Sequence, residues 1–146
     1  MNAELNHLSP ILWTKDLVAT TAFYENILGF KGQSNFPNFV SLTRDNVAIM
    51  FVPPIEEPED GKDPANKEEF FPKPKLTGSI FITMEKVDEL WESVKGKAKI
   101  ESSIADREYL MRDFSILDNN GYELAFGEDI SRKTNSNNTS FHTFVA

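Results

Sequence analysis

Residues 11–30 read Ile11-Leu12-Trp13-Thr14-Lys15-Asp16-Leu17-Val18-Ala19-Thr20-Thr21-Ala22-Phe23-Tyr24-Glu25-Asn26-Ile27-Leu28-Gly29-Phe30, and they decide the fold. The opening residues are β-branched and aromatic, as a strand requires. Asp16 then offers a side-chain oxygen to the free N–H groups of a first helical turn, which places the helix start near Leu17. Ala19, Phe23, Ile27 and Phe30 recur at three- and four-residue steps, so they are expected to form the apolar stripe that faces a sheet. Gly29 supplies the left-handed conformation that ends a helix. The stretch is a strand that feeds a helix lying back on it.

Working outward, the first strand is expected over 6–14, with Ser9, Ile11 and Trp13 on one face and Leu8, Pro10 and Leu12 on the other. Pro10 cannot donate to a ladder and so points to an edge or to a local break beside the strand. Beyond the helix, 31–35 is weakly strand-like, 39–44 alternates more clearly, Asp45-Asn46 is a tight turn, and 47–52 returns as an apolar strand with Phe51 opposite Met50, against a helix. From Gly78 the pattern restarts. A strand over 79–84 precedes a helix with the stripe Val87, Leu90, Trp91 and Val94, and a further strand opens at 98–100. Strands over 109–117 and 122–127 flank the turn Asp118-Asn119-Asn120-Gly121. Strand, helix, three strands therefore occurs twice, and one such module leaves a sheet face uncovered.

Three groups of residues resemble the glyoxalase/bleomycin resistance protein/dioxygenase superfamily, the vicinal-oxygen-chelate proteins. They are the Asp16-Leu17 cap with Phe23-Tyr24 and Leu28-Gly29-Phe30, then Arg112-Asp113-Phe114 before the last hairpin, then Asp118 and Gly121 framing its turn and 124–126 leaving it. The matches span about residues 8–53 and 78–128. The resemblance implies an α+β fold in which two βαβββ modules form one curved mixed β-sheet half-barrel with both helices on the convex face, and with function in the concavity. The corresponding organisation is a single domain over 1–128, with module one at 6–53, a linker at 54–77, module two at 78–128, and a polar C-terminal tail at 129–146.

Composition bounds the partners. A chain of 146 residues with 40% hydrophobic residues can bury one substantial core. A net charge of −8 argues against a nucleic-acid partner, which needs a basic face. The acidic surplus reads either as a solvated surface or, in part, as the lining of a groove for a cationic ligand. With no cysteine there is neither disulfide nor thiolate chemistry, and no apolar run has the length of a membrane span, so a cytoplasmic protein is expected. The linker carries Phe70-Phe71 among prolines and carboxylates, either as a local anchor beneath the sheet edge or as a cover over a groove. The tail lacks apolar periodicity until Phe141, Phe144 and Val145, and is expected to be mobile or to dock on a partner subunit.

Family members with a metal hold it with four side chains, one from the first and one from the last strand of each module. The positions corresponding to them are Ser9, Met50, Ser79 and Ala125, none of which ligates a divalent ion well. His7 and His142 are the only histidines, and His7 with Glu123 is the one substitute pairing worth testing. No cofactor and no catalytic residue is assigned. Ser9-Pro10-Ile11-Leu12, Arg44-Asp45-Asn46-Val47 and Val87-Asp88-Glu89-Leu90 are similar to the bleomycin-resistance branch, whose members sequester a drug in aromatic, acidic grooves between two subunits. The resemblance implies a metal-independent homodimer that binds an aromatic or cationic small molecule, with Trp13, Phe39, Phe81, Tyr109, Phe114 and Glu123 as candidate ligand-binding residues. The alternative is a glyoxalase- or dioxygenase-type enzyme with a rebuilt metal site.

Overall fold

A computed structural model describes residues 3–54 and 75–131. The chain divides into two compact units, Met1–Lys75 and Leu76–Ala146. The first contains β1 (Ile11–Trp13), α1 (Leu17–Asn26), β2 (Lys31–Gln33), β3 (Val40–Arg44) and β4 (Val47–Val52). The second contains β5 (Ile80–Thr83), α2 (Val87–Val94), β6 (Lys99–Asp106), β7 (Met111–Leu117) and β8 (Glu123–Asp129). Each unit is a βαβββ module with its own four-stranded mixed sheet, in the orders β1-β4-β3-β2 and β5-β8-β7-β6. In both, the first strand runs parallel to the last and the other pairings are antiparallel. The α+β class and the duplication expected from the sequence are thus the architecture observed.

In the first unit the Asp16 side chain accepts the Ala19 N–H at 2.9 Å and starts α1 at Leu17. Gly29, at φ +72°, turns the chain out of the helix, and the Arg44 guanidinium donates to the Leu28 carbonyl at 2.6 Å, holding the turn that follows the helix. The buried row of α1 differs from the expected stripe. Ala19 is exposed and Phe23 and Ile27 only half-buried, whereas Thr20, Tyr24 and Leu28 are fully covered. Residue type alone misplaced the row because Thr20 and Tyr24 carry polar atoms. The Thr20 hydroxyl, however, bonds that of buried Thr14 at 2.8 Å, and the Tyr24 ring packs against Phe30 and Phe51 with centroids 5.5 and 5.4 Å away.

The first strand is also shorter than 6–14. Only Ile11–Trp13 is extended against β4, and it lies at the sheet edge as Pro10 implied. Leu5 and Leu8 before it are exposed.

In the second unit α2 buries Val87, Leu90 and Val94, and Trp91 packs on Phe114 at 5.2 Å. Its residue before the first turn, Lys86, has left-handed backbone angles and makes no side-chain cap. Glu128 of β8 takes over, accepting the Val87 N–H at 3.1 Å. Asp118 holds the last hairpin by accepting the N–H groups of Asn120 and Tyr122 at 2.8 and 2.9 Å. The strand β8 continues to Asp129, and Ile130 and Ser131 are buried. Phe70-Phe71 and the tail beyond Ser131, with His142, Phe141, Phe144 and Val145, lie outside the described residues. Among the described residues no helix is long and apolar enough to cross a membrane.

Candidate functional site

Strand alternation sorts each sheet into a face packed on its helix and a face turned away from it. In the first unit Leu12, Val40, Leu42, Ile49 and Phe51 belong to the helix side. The opposite face carries Ile11 and Trp13, whose register partners are Met50 and Val52. Trp13 is 45% exposed, a large apolar surface left in water. Phe39 precedes β3, half-buried, with its ring edge-on to the exposed Phe36 at 6.2 Å. The two aromatic candidates of this unit are therefore not equivalent: Trp13 stands on the helix-free face, while Phe39 belongs to the aromatic pair at the β2–β3 connection.

In the second unit the helix-free face carries Phe81 and Thr83 of β5, Met111, Asp113, Ser115 and Leu117 of β7, and Glu123, Ala125 and Gly127 of β8. Phe81 is opposite Ala125, and its ring leans over Gly127. A Cβ at Gly127 would sit 2.5 Å from Phe81 Cζ and 3.1 Å from Met111 Cε, so only glycine leaves the ring this space. The ring remains 45% exposed. Glu123 is half-buried and accepts a hydrogen bond from the Ser115 hydroxyl at 2.8 Å.

Asp113, nearly buried, is held by Arg107, whose Nε donates to Oδ1 at 2.8 Å. The same guanidinium donates to the Ser102 hydroxyl at 3.0 Å and the Ser103 carbonyl at 2.8 Å, where β6 slips register against β7. Arg107 thus supplies donors to backbone and side-chain oxygens at an irregularity in the ladder. Tyr109 lies between β6 and β7 and donates its phenol O–H to the other Asp113 oxygen. That bond, then burial and the Asp113 charge, raise the phenol above its ordinary value, while Arg107 pulls in the opposite direction. On the helix side, Arg112 bonds Asp88 and Asp106 at 2.9 and 3.0 Å, and those bonds push its guanidinium up as well.

One candidate is misplaced. Phe114 is 1% exposed and lies on the helix side, between Trp91 and Phe126, because β7 alternates it with Asp113 and Ser115. Its ring is core. Sequence reasoning missed Arg107 and Ser115 entirely; Ser115 was legible as the same-face neighbour of Asp113, two residues on, but nothing local linked Arg107 to Asp113.

The donor set does not suit the family's metal. Met50 and Ala125 stand on the helix-free faces of their sheets and offer a thioether and a methyl group, and Ser9 and Ser79 offer neutral hydroxyls. His7 is exposed, and Glu123 already accepts from Ser115. Among the described residues no three histidine or carboxylate side chains group as a metal site.

The family model for the glyoxalase/bleomycin resistance protein/dioxygenase superfamily matches residues 4–126. Among solved structures, the chain is similar to a glyoxalase-related enzyme from Clostridium phytofermentans at 20% identity, covering 88% of this chain and 98% of that one with a TM-score of 0.64. A glyoxalase/bleomycin resistance protein/dioxygenase from Alicyclobacillus acidocaldarius matches at 16% identity, 91% and 98% coverage and a TM-score of 0.63. Lactoylglutathione lyase from Agrobacterium tumefaciens matches at 18% identity, 84% and 92% coverage and a TM-score of 0.57. No curated protein matches the chain in sequence. The structural likenesses establish the fold, and the family match covers both modules: the chain belongs to the glyoxalase/bleomycin resistance protein/dioxygenase superfamily.

Proposed function

We propose that this chain is a metal-independent binding protein of the superfamily, a cytoplasmic homodimer of single-domain subunits that sequesters an aromatic or cationic small molecule. The observation that carries this reading is the helix-free face of the second sheet, where the Phe81 ring and the Glu123 carboxylate share a surface with Ala125 in place of a metal-binding side chain. An exposed ring offers stacking and an acidic oxygen offers charge, which are the contacts a flat or cationic molecule needs. The exposed Leu8, Ile11 and Trp13 support self-association, since apolar surface of this kind marks an interaction site and two-fold pairing is the commonest outcome.

The test is a ligand screen on the purified protein with and without divalent ions, with elemental analysis of the same sample. Binding that persists in chelator supports the proposal. One tightly held metal equivalent, lost on His7→Ala or Glu123→Ala, would replace it with the metal-dependent enzyme. Sedimentation at micromolar concentration checks the dimer, and a monomer would remove that part.

A further inference from the structure

We infer that the second unit carries a site for a two-point ligand, an organic cation with N–H donors joined to a flat apolar group about 7–13 Å away. The inference rests on the ligand-binding reading above and specifies the chemistry and spacing that reading leaves open.

The first point is Glu123. Four carboxylates of this unit have a cationic partner, Asp113 in Arg107, Asp88 and Asp106 in Arg112, and Glu92 in Lys95, while Asp118, Glu128 and Asp129 accept backbone N–H groups. Glu85, Glu89, Glu101 and Glu108 face water directly. Glu123 belongs to none of these groups. It is half-buried, its partner among the described residues is the neutral Ser115 hydroxyl, and Ser115 is itself 3% exposed. A carboxylate partly withdrawn from water and supported by one neutral donor gains most from a cation that brings its own N–H groups. Asp113, on the same face, is already paired with Arg107, and Asp129, beyond Gly127 on that face, is exposed and accepts the Ser131 N–H.

The second point is the Phe81 ring. It lies over Gly127 and beside Met111, at the other end of β8. Residues on one strand face are about 7 Å apart for each two positions, so Ala125 lies about 7 Å and Gly127 about 13 Å from Glu123. The ring is rooted opposite Ala125 and reaches Gly127, which sets the range. Between the two points β8 presents no side chain larger than the Ala125 methyl, which is 9% exposed.

The experiment measures calorimetric binding of phenylhexylammonium, its neutral counterpart phenylhexanol, and the short benzylammonium to the full chain. The expected result is a preference of at least roughly tenfold for phenylhexylammonium over both other probes. Glu123→Gln should reduce its advantage over the alcohol to about twofold or less. Gly127→Ala displaces the tip of the flexible Phe81 ring while leaving the backbone in place, and should weaken both long probes without changing their ratio, as should Phe81→Ala. An unchanged melting transition in the Gly127→Ala protein separates that effect from unfolding. Long probes that bind with no ammonium preference, or a preference that survives Glu123→Gln, would overturn this inference and leave the broader ligand-binding reading standing. Failure of every probe to bind would overturn both. Probe binding that competes with self-association would give the face to a second copy of the chain and overturn the inference.

Discussion

The two modules repeat one backbone plan but stabilise it by different means. In the first, α1 is capped by its own preceding residue, Asp16. In the second, the residue before α2 is a left-handed lysine, and the cap arrives from Glu128, 41 residues away. The buried row of α1 includes a threonine and a tyrosine, whereas α2 buries valines and a leucine. The helix-free face of the first sheet presents Ile11 and Trp13, and that of the second presents Asp113, Ser115 and Glu123. The duplicated part is therefore the hydrogen-bonded frame, and the faces have diverged around it. Such divergence is inexpensive, since a residue on the face away from the helix can change without disturbing the packing beneath it.

The largest effect expected concerns the two cores. Phe51→Ala in the first unit and Phe114→Ala in the second each remove a fully covered ring, and each should cost about 3–5 kcal/mol in denaturant unfolding. If the units unfold cooperatively, both variants shift one common transition. If only the mutated unit's transition moves, the modules are energetically independent, which a probe in each unit reads directly.

A smaller effect singles out the second module. Asp113→Ala removes the acceptor for both Arg107 and Tyr109 and should cost about 1.5–3 kcal/mol. Arg107 is 28% exposed, so water recovers part of that loss and the lower end of the range is expected. A cost below about 0.5 kcal/mol would show that the cluster merely decorates the surface.

The caps come next. Asp16→Ala should destabilise by about 1 kcal/mol, and Glu128→Ala by a similar amount. Because the Asp16 bond is local, its loss should also reduce helix content in an isolated 11–30 peptide. If that peptide's circular dichroism is indifferent to Asp16, the local account of α1 is wrong.

The smallest effect is spectroscopic. The Tyr109 phenol is raised by its bond to Asp113, so folding favours the protonated form. Its contribution to stability is complete below the ordinary tyrosine value of about 10 and is lost as pH rises through the higher folded value. The difference in alkaline ultraviolet titration between wild type and Tyr109→Phe should show one phenol ionising later than a free tyrosine. In Asp113→Asn the delay should shrink, and an ordinary titration in the wild type would remove the bond from the account.

Legibility followed the range of the interactions. The cap at Asp16, the glycine exit at Gly29, the Asp45-Asn46 turn and the hairpin turn at Asp118 are set by neighbours within a few residues, and all were readable. The stripe of α1 was misread by one position because the satisfaction of Thr20 depends on Thr14 in another element. Of the candidate site, Trp13 shares a face with Ile11 as alternation implied, Phe81 and Glu123 also stand on a helix-free face, and Phe114 does not, because the strand phase of β7 is settled by pairing with β8.

The chain by itself determined the order of elements, their duplication and the chemistry absent from Ser9, Met50, Ser79 and Ala125, since these follow from residue type and local spacing. Only the tertiary structure decided which carboxylates are neutralised. Arg107 reaches Asp113 across a turn, Arg112 joins α2 to β6, and Glu123 is left with a hydroxyl. The physical reason is that charge pairing acts over a few ångströms of space whatever the separation in sequence, and strand register chooses which side chains come within that reach.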